Sequence, residues 1–310
     1  MYRRVFGRLA GRLVNSCPMT DTALGNFVSA RGRGGLHRAG LSRMAARRWS
    51  RNTMTVDLVA VVPRNSRGRG VRRYYDAQSE CAFFVSEPDV QPELWRRYLH
   101  GAREVYRRFG VEQALEYESV ADGASSSLFF VALDAGGEMV AGVRMQGPYT
   151  DARQAHALVE WAGQPGADDL RRMIADRIPQ GVVEAKGAWV ARDAANRGEL
   201  SAAISRTVLH GARLLGARYG FATVASFTVA RHEACGAVAA ENIRAVPYPD
   251  ERYRTVPLWW DTRSHAAIAE ESQRLLTQRE QNELGLPAER SSDLRCGIGR
   301  PTESRRGHGR

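Results

Sequence analysis

The chain has 310 residues, 43% of them hydrophobic, and a formal charge of +11, which is length and core enough for one large or two ordinary globular domains. The charge is uneven: residues 1–73 hold 16 Arg against Asp21 and Asp57, residues 287–310 hold six Arg against three acids, and the stretch between is left at −6. A mildly acidic body lacks the basic face that a phosphate backbone requires, which confines any nucleic-acid binding to the tails, and no stretch reaches the length of an apolar membrane span.

Residues 1–73 read as a disordered, Arg-rich extension. Their acid-poor composition is that of an organelle transit peptide without the apolar core of a secretory signal, and Met54, which opens MTVDLVAVV, is an alternative start at the point where ordered character is expected. An Arg/Gly linker spans Pro63 to Arg73. Cys81 to Ser86 then forms a short apolar strand, and Pro92 to Phe109 a helix with Leu94, Trp95, Tyr98, Leu99, Ala102, Val105, Tyr106 and Phe109 on one face. An acidic stretch, Glu116 to Asp122, leads into Leu128 to Leu133 and Met139 to Met145, two apolar runs joined by Asp-Ala-Gly-Gly-Glu, which predicts a β-hairpin.

Residues 151–178 read as a polar helical insert, closed by Pro179-Gln180-Gly181. Val182 to Ala191 is a buried strand, and Glu199 to Tyr219 a helix whose Leu200, Ala203, Ile204, Val208, Ala212, Leu215 and Ala217 form a stripe narrow enough to lie close on a sheet. Gly220 ends that helix. Phe221 to Phe227 is a strand, Arg231 to Ala240 a short helix, and Ile243 to Val246 with Arg254 to Trp260 a final strand pair. Residues 264–284 form a terminal amphipathic helix, and the Arg/Gly/Ser-rich residues 287–310 a disordered tail.

The most informative stretch is Val182 to Leu200. A strand that runs through a turn into a helix N-terminus presents free backbone N–H groups and the positive end of a helix dipole, an anion site suited to a pyrophosphate-bearing carrier. Glu184, near the start of that strand, places a potential proton acceptor close to the cradle. Elsewhere the four cysteines, Cys17, Cys81, Cys235 and Cys296, have neither metal-ligand spacing nor a disulfide framework, which suits a reducing, cytoplasmic setting and implies no metal. Lys186 is the only lysine, a bias that composition alone explains.

The element order, with the central strand leading into Arg197-Gly198-Glu199-Leu200-Ser201-Ala202, resembles the GNAT superfamily of N-acyltransferases. Arg197 and Ala202 match its phosphate-turn pattern, and Leu200 stands where its first glycine is usual. Residues 94–260 are similar in particular to the acyl-homoserine-lactone and N-acyl amino acid synthases. Tyr98-Leu99 with Arg103-Glu104-Val105-Tyr106 resembles the first helix of that branch, Glu118 to Asp122 its spaced acids, Gly142-Val143-Arg144-Met145 its Gly-x-Arg-Leu strand end, and Glu184 to Val190 its Glu-x-x-Arg-x-x-Val strand, with Gly187 in the arginine position. The resemblance implies a mixed, mostly antiparallel α/β sheet flanked by helices, one domain over residues 74–286. It also implies an acyl-CoA or acyl carrier protein thioester as cosubstrate and a small amino-acid-like amine as acceptor.

Each candidate residue has two readings. Glu184 is the general base for the attacking amine, or a strand-end carboxylate paired with Arg144 or Lys186. Arg144 binds an acceptor carboxylate in bidentate fashion, or partners Glu184 and Asp122. Arg103, with Glu118 and Asp122, reaches the acceptor pocket, or is a snorkelling surface arginine. His232, expected at the opening of the helix after Phe227, is a proton shuttle with its pKa lowered by the helix N-terminus, or a structural histidine. Cys235 reads as a plain core cysteine. Backbone groups of Val190, Ala191, Arg197, Gly198, Glu199, Leu200 and Ala202 are expected to hold the carrier. Trp189, Phe129, Phe130, Trp259 and Trp260 line an acyl tunnel or pack the core. Two other activities stay open: an acetyl-CoA-dependent N-acetyltransferase, and a catalytically silent module that binds acyl-CoA.

Overall fold

The computed structural model describes residues 70–286, which belong to one compact unit. The expectations for residues 1–69, for a start at Met54 and for the 287–310 tail lie outside the described residues. Eight strands form one sheet: β1 (Arg72–Asp76), β2 (Cys81–Ser86), β3 (Leu128–Leu133), β4 (Met139–Gln146), β5 (Val182–Val190), β6 (Tyr219–Ala225), β7 (Val238–Ala239) and β8 (Thr255–Asp261). Their spatial order is β1-β2-β3-β4-β5-β6-β8-β7. Only the β5–β6 pairing is parallel. This is the mixed, mostly antiparallel sheet flanked by helices that the sequence implies.

The hairpin β3–β4 forms where expected because the Asp134 carboxylate accepts N–H bonds from Gly136 and Glu138, at 2.8 and 3.0 Å, and so closes the turn. Helix α1 (Pro92–Arg108) lays Trp95, Tyr98, Leu99 and Ala102 on one face of the sheet, against Phe129, Val131 and Trp189. It can approach so closely because residue 101 is glycine: a Cβ there would meet the Trp189 ring at 2.4 Å. Helix α5 (Arg197–Leu214) covers the opposite face with Leu200, Ala203, Ile204 and Leu209 and supplies the crossover that a parallel strand pair requires. Burying each of the fully enclosed phenylalanines Phe83, Phe129 and Phe130 contributes roughly 1.5–3 kcal/mol to holding the layers together.

Several boundaries differ from the sequence reading. β1 begins at Arg72, inside the expected linker, because Tyr74 and Asp76 face inward while the arginines face out. Helix α5 stops at Leu214, and Gly220 sits within β6 rather than at a helix end. The expected helix 231–240 splits into α6 (Val229–Ala234) and strand β7, while of the expected strand 243–246 only Val246 pairs, in a single bridge to Thr255. The terminal helix breaks into α7 (His265–Ile268) and α8 (Glu271–Glu283). The insert holds two helices, α3 (Ala157–Glu160) and α4 (Ala167–Arg177), and is not polar throughout. Its Trp161, Leu170 and Ile174 are buried against Val182, Phe221 and Trp259, on the face that α1 also covers further along β4 and β5.

One feature of the sheet positions the site. β5 and β6 run paired only from Val182 and Tyr219 to Ala185 and Ala222, after which the two strands part and leave a fork. At the same level the β4–β5 ladder shifts register between Gly142 and Arg144, and Gly187 takes φ +60°, the signature of a bulge that re-aims side chains at a sheet opening. Among the described residues, no helix is long and apolar enough to cross a membrane.

Candidate active site

Lys186 and Thr223 are the first residues past the point where β5 and β6 separate, and one carboxylate joins them. Glu160, at the end of α3, binds the Lys186 ammonium and accepts a hydrogen bond from Thr223 Oγ1 at 3.0 Å. Burial alone would raise the Glu160 pKa, but the Lys186 charge and bonds from His156, Lys186 and Thr223 hold it down to about 2. Lys186 is displaced the other way: burial opposes its charge, and the charges of Glu160 and Glu184 more than offset that. A buried pair of this kind costs about 3–5 kcal/mol if one partner is removed.

His156 extends the cluster outward. Its Nδ1 lies 3.4 Å from Glu160 Oε1 and its Nε2 lies 2.9 Å from Glu116 Oε2. Burial pulls the His156 pKa down, yet the Glu160 and Glu116 carboxylates beside the ring leave it raised overall; Nε2 is in ionic contact with Glu116 but is not aligned for a hydrogen bond. Tyr248, from the loop before β8, is pushed up to about 12 by burial and by the Glu160 charge. Side-chain atoms of His156, Glu160 and Glu184 lie within 4.8 Å of one another, and N–H and O–H donors already occupy both carboxylates. In this arrangement the Lys186 ammonium supplies the cation to the Glu160 carboxylate.

Glu184 is fully buried, and three of the roughly four acceptor sites of its carboxylate are taken. Oε2 accepts from Tyr149 Oη at 2.7 Å and from the His156 N–H at 2.8 Å, and Oε1 accepts from the Ala157 N–H at 3.1 Å. The carboxylate thus caps the start of α3 and ties the insert to β5. It pairs with neither Arg144 nor Lys186. These three bonds make Glu184 a positioning residue for the insert, and they leave one acceptor site on Oε1.

Arg144, opposite Lys186 on β4, is only 3% exposed. Its one hydrogen bond is a long 3.5 Å contact from Nη1 to Ser126 Oγ, and Nε has no partner. Among the described residues no carboxylate pairs with it. Asp122, one of the expected partners, is exposed and spends its carboxylate on the Ala124 N–H at 2.9 Å. The floor beside Arg144 is the bulge: a Cβ on Gly187 would stand 2.6 Å from Tyr98 Oη and 3.7 Å from Arg144 Nε, and Tyr98 Oη donates to the Gly187 carbonyl at 2.9 Å. Only glycine keeps this surface open with the left-handed backbone it requires.

On the carrier side the expected groups divide. The Ala191 N–H donates to Val140 O at 2.8 Å. By the alternation of an antiparallel ladder, the N–H of Val190 then points away from β4, into the fork. Helix α5 opens at Arg197 with Asn196 in the left-handed region and no side-chain cap. The Leu200 N–H bonds Asn196 O at 2.8 Å, while those of Arg197, Gly198 and Glu199 have no intrahelical acceptor to reach. A Cβ on Gly198 would meet nothing within 4 Å, whereas Leu200 and Ala202 are buried. Val190, Arg197, Gly198 and Glu199 therefore offer backbone to a ligand; Ala191, Leu200 and Ala202 do not. Leu200, at the position of the motif glycine, turns its side chain into the core.

Arg103 and Glu118 come together, in a cavity whose lining does not include Arg144. They line an open surface cavity of about 440 Å³ with Glu112, Glu116, Tyr117 and Ser119, where Arg103 binds Glu112 at 2.6 Å and lies over the Tyr117 ring. His232 is in the last turn of α6, not at its start. Its pKa falls to about 4 because it is buried, with the Arg231 charge second, and its Nδ1 lies 3.0 Å from Ser205 Oγ, edge-on to Trp260. The helix-dipole reason for a neutral His232 does not hold. Cys235 is buried beside it and its thiol is raised, chiefly by burial. The five aromatics divide among three separate clusters: Phe130 and Trp260, Phe129 and Trp189, and Trp259 alone. All five are buried core residues.

No protein-family model matches the chain. Over 197 residues, 64% of this chain, it is 43% identical to "Uncharacterized protein Rv1356c" of Mycobacterium tuberculosis (strain ATCC 25618 / H37Rv) and to "Uncharacterized protein Mb1391c" of Mycobacterium bovis, covering 75% of each. The chain belongs to the family of these mycobacterial proteins. Among solved structures it is similar to FeeM, an N-acyl amino acid synthase from uncultured soil microbes, at 12% identity and a TM-score of 0.43, over 59% of this chain and 92% of that one. It is also similar to BjaI, a CoA-dependent acyl-homoserine lactone synthase, at 14% identity and a TM-score of 0.39, over 71% and 92%. An acyl-CoA N-acyltransferase from Pseudomonas aeruginosa matches at 13% and 0.39, over 58% and 99%.

Sequence reasoning missed the residues that fill the fork. His156 and Glu160 lie in the stretch read as polar insert and Tyr149 just before it, and the available signal was the four-residue spacing of His156 and Glu160, which puts both on one helical face. Lys186 carried its own signal, as the single lysine in a chain of arginines.

Proposed function

We propose that this protein transfers an acyl group from a thioester carrier, coenzyme A or acyl carrier protein, to the amine of a small amino-acid-like acceptor. The observation that carries this reading is Arg144: a buried guanidinium with no carboxylate partner among the described residues, set beside a sheet bulge that only glycine keeps open. An unpaired buried charge is costly, and an acceptor carboxylate, bound in bidentate fashion, would relieve that cost. The carrier pyrophosphate then lies at the uncapped start of α5, on the N–H groups of Arg197, Gly198 and Glu199, and the Val190 N–H turns toward the thioester oxygen in the fork. In the reaction the amine nitrogen bonds to the carbonyl carbon, the C–S bond breaks, and the leaving thiolate is protonated. Glu184 acts by holding the insert in place.

The dispersal of the aromatics among three clusters favours a short acyl group, which keeps an acetyl-CoA-dependent N-acetyltransferase as the second reading. The test is mass spectrometry of extracts from cells expressing the full chain, wild type beside Arg144→Met, with thiol release by the purified protein across acetyl- to dodecanoyl-CoA. N-acyl amino acids present only with the wild type support the proposal. Acetylated products alone select the second reading. Carrier binding without turnover on any amine makes the chain a silent acyl-CoA-binding module.

A further inference from the structure

The fork needs a route for protons. An amine that arrives as an ammonium must shed one proton to solvent for each amide formed, besides the one that ends on the thiol, and the groups around Lys186 are shut away from water. One line of side chains leads out. Glu160, His156 and Glu116 have side-chain exposures of 0%, 11% and 39%, and each touches the next. We infer that His156 is the proton carrier of this site, taking a proton from the Glu160 carboxylate at Nδ1 and releasing one from Nε2 through Glu116 to solvent. The inference rests on the acyl-transfer reading and deepens it.

The geometry suits the task. Both ring nitrogens face carboxylates, so a neutral His156 must aim its lone pair at an anion, and protonation removes that conflict. The groups that bear on the ring are Glu160 on its own helix, Glu116 before α2 (Tyr117–Val120) and Lys186 on β5, while its backbone N–H is fixed by Glu184. Glu184 thereby holds the imidazole between its two partners. Glu160, whose proton affinity Lys186 suppresses, is a transient station, and the imidazole is where the proton rests. No other group on this line has an ordinary pKa near neutrality. The proton count balances: one N–H bond of the ammonium breaks, each carboxylate gains one proton and loses one, and one proton reaches solvent, while His156, left as the Nδ1–H tautomer, returns to the Nε2–H tautomer by exchange with solvent before the next turnover.

The test uses the full chain and the donor and acceptor that give turnover in the screen above. Wild type, His156→Gln, Glu116→Gln and, as a control on an exposed α1 residue, His100→Gln are compared from pH 5.5 to 9. The expected result for His156→Gln is a kcat at least tenfold lower with KM for the carrier unchanged, loss of the limb in which wild-type rate rises with pH, and partial rescue by added imidazole. Glu116→Gln removes an anion from Nε2, so the limb moves to lower pH. His100→Gln matches wild type. A wild type active while His156→Gln keeps its rate within twofold and its pH profile overturns the relay and leaves acyl transfer standing. A wild type with no turnover on any pair overturns acyl transfer and the relay with it. If His156→Gln fails to fold, NMR titration of the His156 ring in Glu116→Gln decides: a lowered midpoint supports the relay and an unchanged one overturns it.

Discussion

Arg206 and Arg144 are both almost wholly buried, at 1% and 3% exposure, and they differ in everything else. Arg206, on the α5 face, donates from Nε and Nη2 to the Glu280 carboxylate, from Nη2 to Asp76 at 2.8 Å and from Nη1 to Gln273 at 2.6 Å, while His210 Nε2 lies 2.7 Å from the same Glu280. That network fastens β1 and α8 to α5. Arg144, on the opposite face, has one long contact to a serine hydroxyl. A buried cation that the fold has saturated is part of the scaffold; one left open beside a sheet fork is available to a ligand. The contrast separates architecture from site without reference to any relative.

The largest expected effect sets the two side by side. Arg206→Met strands Asp76 and Glu280 in the interior and should cost about 3–5 kcal/mol, lowering Tm by roughly 6–20 °C. Arg144→Met removes a charge that has nothing to lose. Its unfolding free energy should be unchanged or higher, while acceptor binding disappears. Denaturant titrations of both variants check this, and an Arg144→Met as unstable as Arg206→Met would show that Arg144 has a structural partner after all. Next in size is Glu184→Ala, which leaves two backbone N–H groups of the insert without an acceptor and Tyr149 Oη with only its 3.3 Å bond to Gln146 Oε1, and should cost about 3 kcal/mol. Glu184→Gln keeps one acceptor oxygen and should cost about 1 kcal/mol. If Glu184 instead takes the amine's proton, Glu184→Gln will abolish turnover with native stability, an outcome the capping role does not produce.

How much of this contrast the sequence carries depends on the range of the interactions. Hairpin β3–β4, α1 and β5 are legible because their signals are local: apolar runs about a Gly-Gly turn, one helical face, one continuous buried strand. β1 is not, since Arg72 and Arg73 read as linker until Tyr74 and Asp76 find partners on α5. Position 144 is legible as a strand-end arginine, but of its two readings the one that pairs it with Glu184 and Asp122 fails, because Glu184 is bonded to the insert and Asp122 to its own turn. Glu160 and His156 reach the fork only once Trp161, Leu170 and Ile174 have docked the insert on the sheet. Nothing local announces that.

A smaller effect sharpens the shape of the open side. Gly187→Ala puts a methyl 2.6 Å from Tyr98 Oη at a left-handed backbone position and should cost about 1–2 kcal/mol. Tyr98→Phe removes the colliding oxygen, so the double variant should recover part of that loss. Full additivity would mean that the strain lies in the backbone alone.

The smallest effect separates the two faces by pH. On the α5 face, burial holds His232 at about 4 and His210 also below its ordinary value. The unfolded chain therefore binds protons first, and the stability that each neutral ring contributes is present above pH 6.5 and lost as the pH falls toward the folded value. For His232 the loss between pH 7 and pH 6 is about 0.7 kcal/mol. His156, on the fork face, runs the other way: its folded pKa is raised, so its contribution is complete below pH 6.5 and fades as the pH rises through the folded value. His232→Phe should flatten the acid side of a stability profile measured by urea titration from pH 5 to 8, while His156→Gln should flatten the neutral side. If His156→Gln changes the acid side instead, then His156 is not held between two carboxylates, and the separation of a sealed face from an open one fails at its most exposed link.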